Sequence, residues 1–338
     1  MSQDALSEVL RGVRLRGAVF FDVNCSSAWA AEGLPSREIA PFLMPDVEHV
    51  VAYHAVTLGS CWAGIPDGPS IQLSVGDVVM FPHGDAHVIS SAPGARGSVD
   101  MSWLTDASID QLPFQVARQG SDVLFPRPPA FSADASIVCG FLGCDLQPFN
   151  PLIAALPRLL HLRGADDGGW IARFTQQAAA ESRARRPGGE AMLARMSELM
   201  FVDAVRRYGD QLPMHSSGWL AGLRDHFVGR ALALMHEQPG RDWTIEELGR
   251  RSGLSRSALH DRFAQLVGLP PMQYLAQWRM QAAARLLLDT RATVAAIAVD
   301  VGYDSEAAFA RAFKRSVGMP PAAWRRDRAK TPRARAAD

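Results

Sequence analysis

Histidines and cysteines are the residues of this 338-residue chain whose types and positions could support metal binding or redox chemistry. His54 and His87 could both point into one interior, and His83 stands at a turn just before His87. Because two imidazoles make a poor complete site, we expect these three to be at most weak metal ligands, and we expect no cofactor. Four cysteines in the same half of the chain join His54 and His87 as candidates for ligand or redox sensing: Cys25, Cys61, Cys139 and Cys144.

A duplicated segment in the second half of the chain is the other candidate for chemistry. RFAQLVGLPP (Arg262–Pro271) and AFKRSVGMPP (Ala312–Pro321) share phenylalanine, valine, glycine and a Pro-Pro pair at matching positions, fifty residues apart. Because the same helix-ending sequence occurs twice, we expect the same structural unit to occur twice.

Each copy predicts two short helices joined by a glycine turn. In the first copy Thr244 with Glu247 forms a capping box that starts a helix, Gly253 ends that helix, and Ser255 caps the next one. The second copy repeats the cap, turn and cap with Thr293, Gly302 and Ser305. Two helices around a tight turn form a helix-turn-helix, and two copies on one chain are far more specific than one.

The second helix of each copy should present polar side chains opposite its buried stripe, which in the first copy is Ala258, Leu259, Phe263 and Leu266. If these helices enter DNA grooves, the candidates to contact bases are Arg256, Ser257, His260 and Asp261 in the first copy and Glu306, Ala307, Ala310 and Arg311 in the second. Arg311 is the strongest candidate because a guanidinium binds guanine in bidentate fashion. Asp261, at the matching position, leaves open whether the first helix contacts bases or is a solvated surface. The candidates to contact phosphates are Lys314, Arg315, Arg325 and Arg326.

Charge is divided unevenly along a chain that is neutral overall. From Arg224 to the end there are 19 Lys+Arg and 12 Asp+Glu, whereas the first 223 residues hold 16 and 23. The difference suggests a module that binds a polyanion, joined to a module with another task, although two solvated surfaces could differ in this way by chance.

The length of the chain allows two or three domains. No apolar run approaches the roughly 20 residues that span a bilayer, and the N-terminal stretch has acidic residues and no long apolar segment, so it is not a secretory signal. We therefore expect a cytoplasmic protein that makes no membrane contact and keeps its cysteines as thiols.

Short apolar runs between Gly, Pro and Asp turns predict a β-sandwich or barrel over residues 13 to about 145. Within it GDVVMFPHGDAH (Gly76–His87) fits G-x5-P-x-G-x2-H, which is the second cupin motif. The strand expected to carry the first cupin motif, HVVAYHAVTLGSCW, contains His54 but neither H-x-H nor a properly placed Glu. This departure weakens both a metal site and an enzymatic function.

The chain resembles the AraC/XylS family of transcription regulators, whose signature is carried by VGYDSEAAFARAFKRSVGMPPAAWRR (Val301–Arg326). The resemblance implies an α+β protein with an N-terminal cupin-like β-barrel, a helical linker or dimerisation region, and a C-terminal all-α domain with two helix-turn-helix motifs. It also implies double-stranded DNA and RNA polymerase as partners, a homodimer, and no catalysis. The predicted ranges are 1–148 for the sensor, 149–222 for the linker, 223–326 for the DNA-binding domain and 327–338 for a disordered basic tail.

Three alternatives for the barrel stay open. It could bind a small-molecule effector, respond to an oxidant through its thiols, or serve only for assembly. A cupin metalloenzyme with a DNA-binding appendage is the alternative from another functional class. In the predicted linker, the helix Gly189–Tyr208 has an apolar stripe that packs either on the barrel or on a second subunit, and we favour the second subunit: Met192, Leu193, Met196, Leu199 and Met200.

Overall fold

The computed structural model describes residues 4–45, 47–66, 68–97, 114–164, 170–184, 186–213 and 215–330. The chain forms two compact units. The barrel unit comprises residues 15–144 and 156–207, and the helical unit comprises residues 1–14, 145–155 and 208–338. The α+β fold class expected from the sequence is confirmed.

The barrel unit is built from strands in the stretches where the sequence alternates apolar runs with turns. Its described strands are β1 (Arg16–Ser26), β2 (Ala30–Gly33), β3 (His49–Leu58), β4 (Ser60–Gly64), β5 (Ser70–Ser74), β6 (Val78–Phe81), β7 (His87–Ser90), β8 (Phe114–Gln119), β9 (Asp122–Leu124), β10 (Ala135–Cys144) and β11 (Leu160–Leu162). Seven of them form a sheet in the order β11-β6-β3-β10-β1-β8-β9, and four form a second sheet in the order β2-β7-β4-β5.

The cupin motif carries the chain from one sheet to the other. Its first strand, β6, pairs with β3 in the larger sheet, and its second strand, β7, pairs with β2 and β4 in the smaller one. Gly84 in the intervening turn has φ +67°, and a Cβ there would lie 2.3 Å from the Cβ of Ser36. The turn therefore requires glycine at this position for both conformation and space.

The helical unit contains both duplicated copies. The described helices are α1 (Ala5–Gly12), α2 (Ser36–Leu43), α3 (Pro151–Ala155), α4 (Trp170–Ala184), α5 (Gly189–Gln211), α6 (Trp219–Arg224), α7 (His226–Glu237), α8 (Ile245–Ser252), α9 (Arg256–Val267), α10 (Pro271–Asp289), α11 (Val294–Asp300), α12 (Glu306–Val317) and α13 (Pro321–Lys330). Helices α8 and α9 form the first helix-turn-helix, α11 and α12 form the second, and α10 links them.

The four helix starts in the two copies are capped as the sequence predicts. Thr244, Ser255, Thr293 and Ser305 each accept a hydrogen bond from a backbone N–H three residues later, at 3.1 to 3.3 Å. The capping box is only half formed, however, because the Glu247 carboxylate binds Arg241 and Arg251 at 2.6 and 3.0 Å. The first helix therefore starts from its threonine cap, while its glutamate serves an ion-pair network.

One arginine on the linking helix fixes the two copies to each other. The half-buried Arg279 guanidinium donates to the carbonyls of Pro239 and Arg241, at the entrance to the first copy, and of Gly302, in the turn of the second. These three bonds of 2.8 to 3.2 Å span both copies. The predicted rigid linker is thus held by more than its apolar packing.

The helical unit also includes segments that the predicted ranges placed in the sensor and linker. Gln281, buried on α10, donates to the carbonyl of Gly12 at 2.8 Å and accepts from the amide of Phe149 at 3.0 Å. At the other end of the chain, α13 runs to Lys330, so residues 327–330 of the predicted disordered tail are helical. The rest of that tail, residues 331–338, lies outside the described residues.

Candidate DNA interface and barrel cavity

The polar face of α9 is exposed but carries charges of both signs. Arg256, Ser257, His260 and Asp261 all reach solvent, while Leu259 and Phe263 on the opposite side are fully buried. The Arg256 guanidinium lies 2.9 Å from the Glu246 carboxylate, and His260 Nδ1 lies 3.2 Å from the Asp261 carboxylate. Asp261 on α9 and the neighbouring Glu246 on α8 weaken the attraction of this surface for phosphate.

The polar face of α12 has a different charge pattern. Arg311, Lys314 and Arg315 are exposed, and none of them forms an ion pair with another residue in the part of the chain that the structure describes. Of the remaining candidates, Glu306 and Ala307 are exposed and Ala310 is half-buried. These six candidates therefore lie on one helix, α12, with a surplus of positive charge, whereas Arg325 and Arg326 lie on α13.

One detail of the predicted helix packing is wrong, because Ala258 is exposed and the buried stripe of α9 is therefore narrower than expected. Arg325 has a role that the sequence did not predict: it donates to the carbonyls of Leu287 and Ala292 at 2.9 and 2.7 Å, and thereby satisfies backbone groups around the end of α10. Its predicted contact with phosphate stays a prediction. Periodicity could reveal neither feature, because tertiary packing decides which edge of a helix is covered.

The barrel unit contains a half-open cavity of about 140 Å³. Most of its wall is apolar and includes Trp29, Val116 and Ile137. Five residues that line it have polar side chains: Glu32, His54, His87, Arg118 and Cys139. The structure thus brings His54 and His87 together as predicted. His83 turns away and places its Nε2 2.8 Å from the carbonyl oxygen of Leu156.

Three of these polar side chains form a hydrogen-bonded relay that we define as Cys139–His54–His87. The distances are 2.9 Å from Cys139 Sγ to His54 Nδ1, 2.8 Å between the two Nε2 atoms, and 3.0 Å from His87 Nδ1 to the carbonyl oxygen of Asp85. A carbonyl can only accept, so His87 Nδ1 donates and, in a neutral ring, its Nε2 accepts from His54. His54 Nδ1 then accepts from the Cys139 thiol, and every proton of the relay is placed.

Burial keeps this relay neutral. It lowers the pKa of His54 well below its usual range and the pKa of His87 to about 4, because a charged imidazole would lose its hydration. It also raises the pKa of the Cys139 thiol well above its usual range. Neutral pH therefore leaves two uncharged imidazoles and a protonated thiol in the cavity wall.

The other cysteines belong to the core of the barrel unit. Cys25, Cys61 and Cys144 are buried, and burial raises the pKa of Cys25 and Cys61 to about 12. Unbroken pairing of β10 with β3 from Ile137 to Cys144 puts Cys139 and Cys144 on opposite faces of the strand. Within the described residues no three His, Cys, Asp or Glu side chains are arranged to hold a metal ion.

Sequence reasoning did not find Arg118. It follows Phe114 and Val116 at alternate positions of β8, and all three are buried. A charged residue that continues an inward-facing apolar series is a signal that the sequence does contain. The signal is weak, because a strand of six residues shows only three inward positions.

Comparison with known proteins matches both units to families. Residues 4–210 match the family described as Cupin, and residues 248–327 match a family described as Helix-turn-helix domain. A Streptomyces lividans protein described as an AraC-like transcription regulator is 30% identical over 96% of this chain and 98% of its own length. The transcriptional regulator AlkR of Acinetobacter baylyi is 28% identical over 95% and 99%. The RCS-specific transcriptional activator RclR of Escherichia coli is 26% identical over 82% and 84%.

A cupin domain followed in the sequence by two helix-turn-helix copies defines a DNA-binding transcription regulator. The chain belongs to the AraC-like transcription regulators and carries an N-terminal cupin domain. Its double-stranded DNA partner follows from that family, and the alternative of a cupin enzyme is not favoured, since these relatives are named as regulators. Among the described residues no helix is both long and apolar enough to cross a membrane.

Proposed function

We propose that this regulator is a homodimeric, cytoplasmic transcription activator whose barrel cavity binds a small-molecule effector. The observation that carries the proposal is the cavity of about 140 Å³ with a mainly apolar wall. Protein interiors rarely leave such a space, and a cavity that holds a ligand gains the apolar contacts that an empty one lacks. Effector binding would change DNA binding if the two states of the regulator differ in effector affinity.

We propose that the barrel responds to a bound molecule. Oxidation of its thiols is the weaker alternative for the signal. Oxidants react with thiolates, and burial holds the pKa of Cys25 and Cys61 at about 12 and that of Cys139 well above its usual range. A ligand, by contrast, needs only the space and the lining that the cavity offers.

The α5 helix supports the proposed homodimer. Leu193 and Met200 point into the barrel unit and are buried, whereas Met192 and Leu199 are 44% and 57% exposed, with the half-buried Met196 between them. Positions i, i+4 and i+7 lie on one side of a helix. An outward apolar line on a helix whose inner face is already packed is suited to a second copy of the same helix.

Activation would follow from recruitment of RNA polymerase to DNA that the regulator occupies. The relative RclR is named as an activator, and this supports the direction of regulation. Arg311 is proposed to read bases, and Lys314 and Arg315 to hold phosphates, because they form the cationic face of α12. The polar residues of α9, which are Arg256, Ser257, His260 and Asp261, are proposed as weaker contacts.

Filling the cavity tests the proposed function. Val116→Phe places a ring in the cavity wall and should abolish the effector response of a reporter promoter, locking its output at one level. Val75→Phe makes the same change at a half-exposed position outside the lining and should leave the response unchanged. A full response in a folded Val116→Phe protein would show that signals enter elsewhere.

Dimerisation has a separate test. Met192→Glu with Leu199→Glu should convert the full-length protein to a monomer in light scattering, since charge opposes burial of the α5 line. Phe42→Glu, at a 68% exposed position on α2, is the matched control and should not change the mass. A double variant that keeps the dimer mass would assign the contact to another surface.

A further inference from the structure

The loop that enters the first helix-turn-helix copy meets the turn of the second copy at the level of the backbone. We call this contact, between residues 239–241 and residues 300–302, the inter-copy seam. A Cβ on Gly240 would lie 2.2 Å from the carbonyl oxygen of Asp300. A Cβ on Gly302, which has φ +82°, would lie 2.7 Å from the carbonyl oxygen of Gly240. The two backbones therefore approach so closely that any side chain at either glycine would push them apart.

Arg279, on the linking helix α10, holds the inter-copy seam together. Its Nε and Nη2 donate to the carbonyls of Pro239 and Arg241, both at 2.8 Å, and its Nη1 donates to the carbonyl of Gly302 at 3.2 Å. The first two carbonyls lie at the entrance to the first copy and the third lies in the turn of the second. Because a guanidinium presents its N–H donors in a rigid planar fork, the three acceptors are held at fixed distances from one another.

Charges from both copies surround this guanidinium. Burial lowers the pKa of Arg279, and Tyr303, Asp242 and Asp304 act on it in the opposite direction. Asp242 precedes the first copy, and Asp304 directly precedes Ser305, the cap of α12. A neutral side chain in place of Arg279 would thus leave acceptors on both sides of the inter-copy seam without their shared donor.

The inter-copy seam lies close to a DNA-reading helix. Gly302 stands three residues before Ser305, and the helix that Ser305 caps carries Arg311. Two such helices on one protein enter major-groove segments about 34 Å apart. Each base pair adds about 3.4 Å and about 35° of rotation, so a displacement of a few ångströms between α9 and α12 changes which spacing of half-sites fits both helices.

We propose that Arg279 is a positioning residue for DNA recognition, which fixes α12 relative to α9 and so sets the spacing of DNA half-sites that the regulator accepts. This inference rests on the proposed function, because it requires that both helices contact DNA. A rigid pair of helices loses little conformational entropy on correctly spaced half-sites and loses the contacts of one helix on others. A loosened pair should bind the correct spacing less tightly and discriminate less between spacings.

Fluorescence anisotropy with the full-length protein tests the proposal on a selected genomic fragment, and on the same fragment with one base pair inserted between the half-sites that footprinting locates. For the wild type the insertion should weaken binding about 10- to 100-fold, because one helix then loses its base contacts. Arg279→Gln should bind the unaltered fragment more weakly, and the insertion should cost it only about threefold. Arg285→Gln removes a half-buried cation from the same helix, outside the inter-copy seam, and should keep the wild-type ratio.

The ratio of the two affinities separates positioning from stability. A variant that is merely less stable loses affinity for both fragments by the same factor, so its ratio does not change. Gly240→Ala disturbs the inter-copy seam from the opposite side and leaves the Arg279 side chain in place. It should also lower the ratio, and it decides the question if Arg279→Gln does not fold.

The outcomes also separate this inference from the proposed function. A wild-type ratio in folded Arg279→Gln, or an equal fall of the ratio in Arg285→Gln, would overturn the role of Arg279 and leave the DNA contacts of both helices in place. Without folded Arg279→Gln, a wild-type ratio in Gly240→Ala would overturn it. Equal binding of both fragments by the wild type would instead show that one helix alone contacts DNA, which contradicts the proposed contacts of α9 and, with them, this inference.

Discussion

The two helix-turn-helix copies have nearly the same buried framework and different exposed faces. Phe263 and Phe313 occupy matching positions and are both fully buried, and α9 and α12 each end at a glycine with φ above +80°. On the surface, α9 places Asp261 where α12 places Arg311. The first face carries Asp261 and adjoins Glu246, whereas the second has three exposed cations and one exposed carboxylate, Glu306.

This difference shows which positions packing constrains. A core phenylalanine in either copy must fill a fixed space, so duplication preserves it. An exposed residue near a helix N-terminus carries no such requirement and can diverge toward a different partner group. We infer that the copies are equal as scaffolds and unequal as DNA contacts.

The prediction with the largest expected effect tests whether the buried frameworks of the two copies are equal. Phe263→Ala and Phe313→Ala should each lower the free energy of unfolding by about 3–5 kcal/mol, since each leaves a ring-sized cavity in a closed core. Urea unfolding of the full-length protein measures both. Val299→Ala, at a 67% exposed position on α11, should change the free energy of unfolding by less than about 0.5 kcal/mol. A loss below about 1 kcal/mol in one copy would show that the scaffolds differ.

Acid should distinguish the two scaffolds. His236 stacks on Trp278 with ring centroids 3.9 Å apart and lies 2.7 Å from the Tyr274 hydroxyl, and Tyr274 packs against Phe263 of the first copy. Burial lowers the pKa of His236 to about 3. As the pH falls, the histidine of the unfolded chain, with a pKa of about 6.5, is protonated before the buried His236 of the folded chain. The contribution of His236 to the free energy of unfolding is therefore fully present above pH 6.5 and is lost as the pH falls toward 3.

The expected loss between pH 7 and pH 5 is about 2 kcal/mol. The buried cluster around Phe313 contains no histidine among its described members, so the second copy should lose less. Hydrogen-exchange protection of α9 and α12 at the two pH values measures the difference. His236→Gln should remove most of the pH dependence from α9, and equal loss in both helices would contradict this account.

Arginine substitutions test the inequality of the exposed faces. Arg311→Ala should lower affinity for a selected genomic fragment by about 1–3 kcal/mol, and lower affinity for a scrambled fragment much less. Arg256→Ala should cost less, because Arg256 must first leave Glu246. Fluorescence anisotropy at fixed salt provides both affinities. An equal loss on both fragments would place Arg311 on a phosphate.

The smallest expected effect concerns the acidic residue of the first face. Asp261→Asn should raise affinity for all DNA sequences by a few tenths of a kcal/mol, because it removes one repulsive charge near phosphates. The same titration measures it. A loss of affinity confined to the selected fragment would instead show that Asp261 accepts a hydrogen bond from a base.

Much of the helical unit could be predicted because its signals are local. Cap residues, glycine turns and apolar spacing all act within one or two helical turns, and the four predicted caps form as expected. Arg279 and Gln281 could not be predicted in their roles. Each joins segments separated by 23 to 269 residues, and single polar residues on a helix give no sign of such partners.

The barrel unit, too, has some features that could be predicted from the sequence and others that could not. The strand-turn-strand motif followed from the spacing of its residues, and the cupin motif suggested that His54 and His87 could both point inward. The cavity, the neutral relay and the inward guanidinium of Arg118 did not. They depend on which faces of eleven described strands meet, and on the loss of water there, which sets the charge of each group.

The sequence alone determined the family, the two kinds of unit and the duplicated helix-turn-helix motifs, because local periodicity and caps are encoded in neighbouring residues. Only the tertiary structure decided which charges are paired, which thiols are shielded and where a cavity remains. Those properties arise from packing between distant segments, and burial changes the free energy of a charge by more than any local pattern reveals.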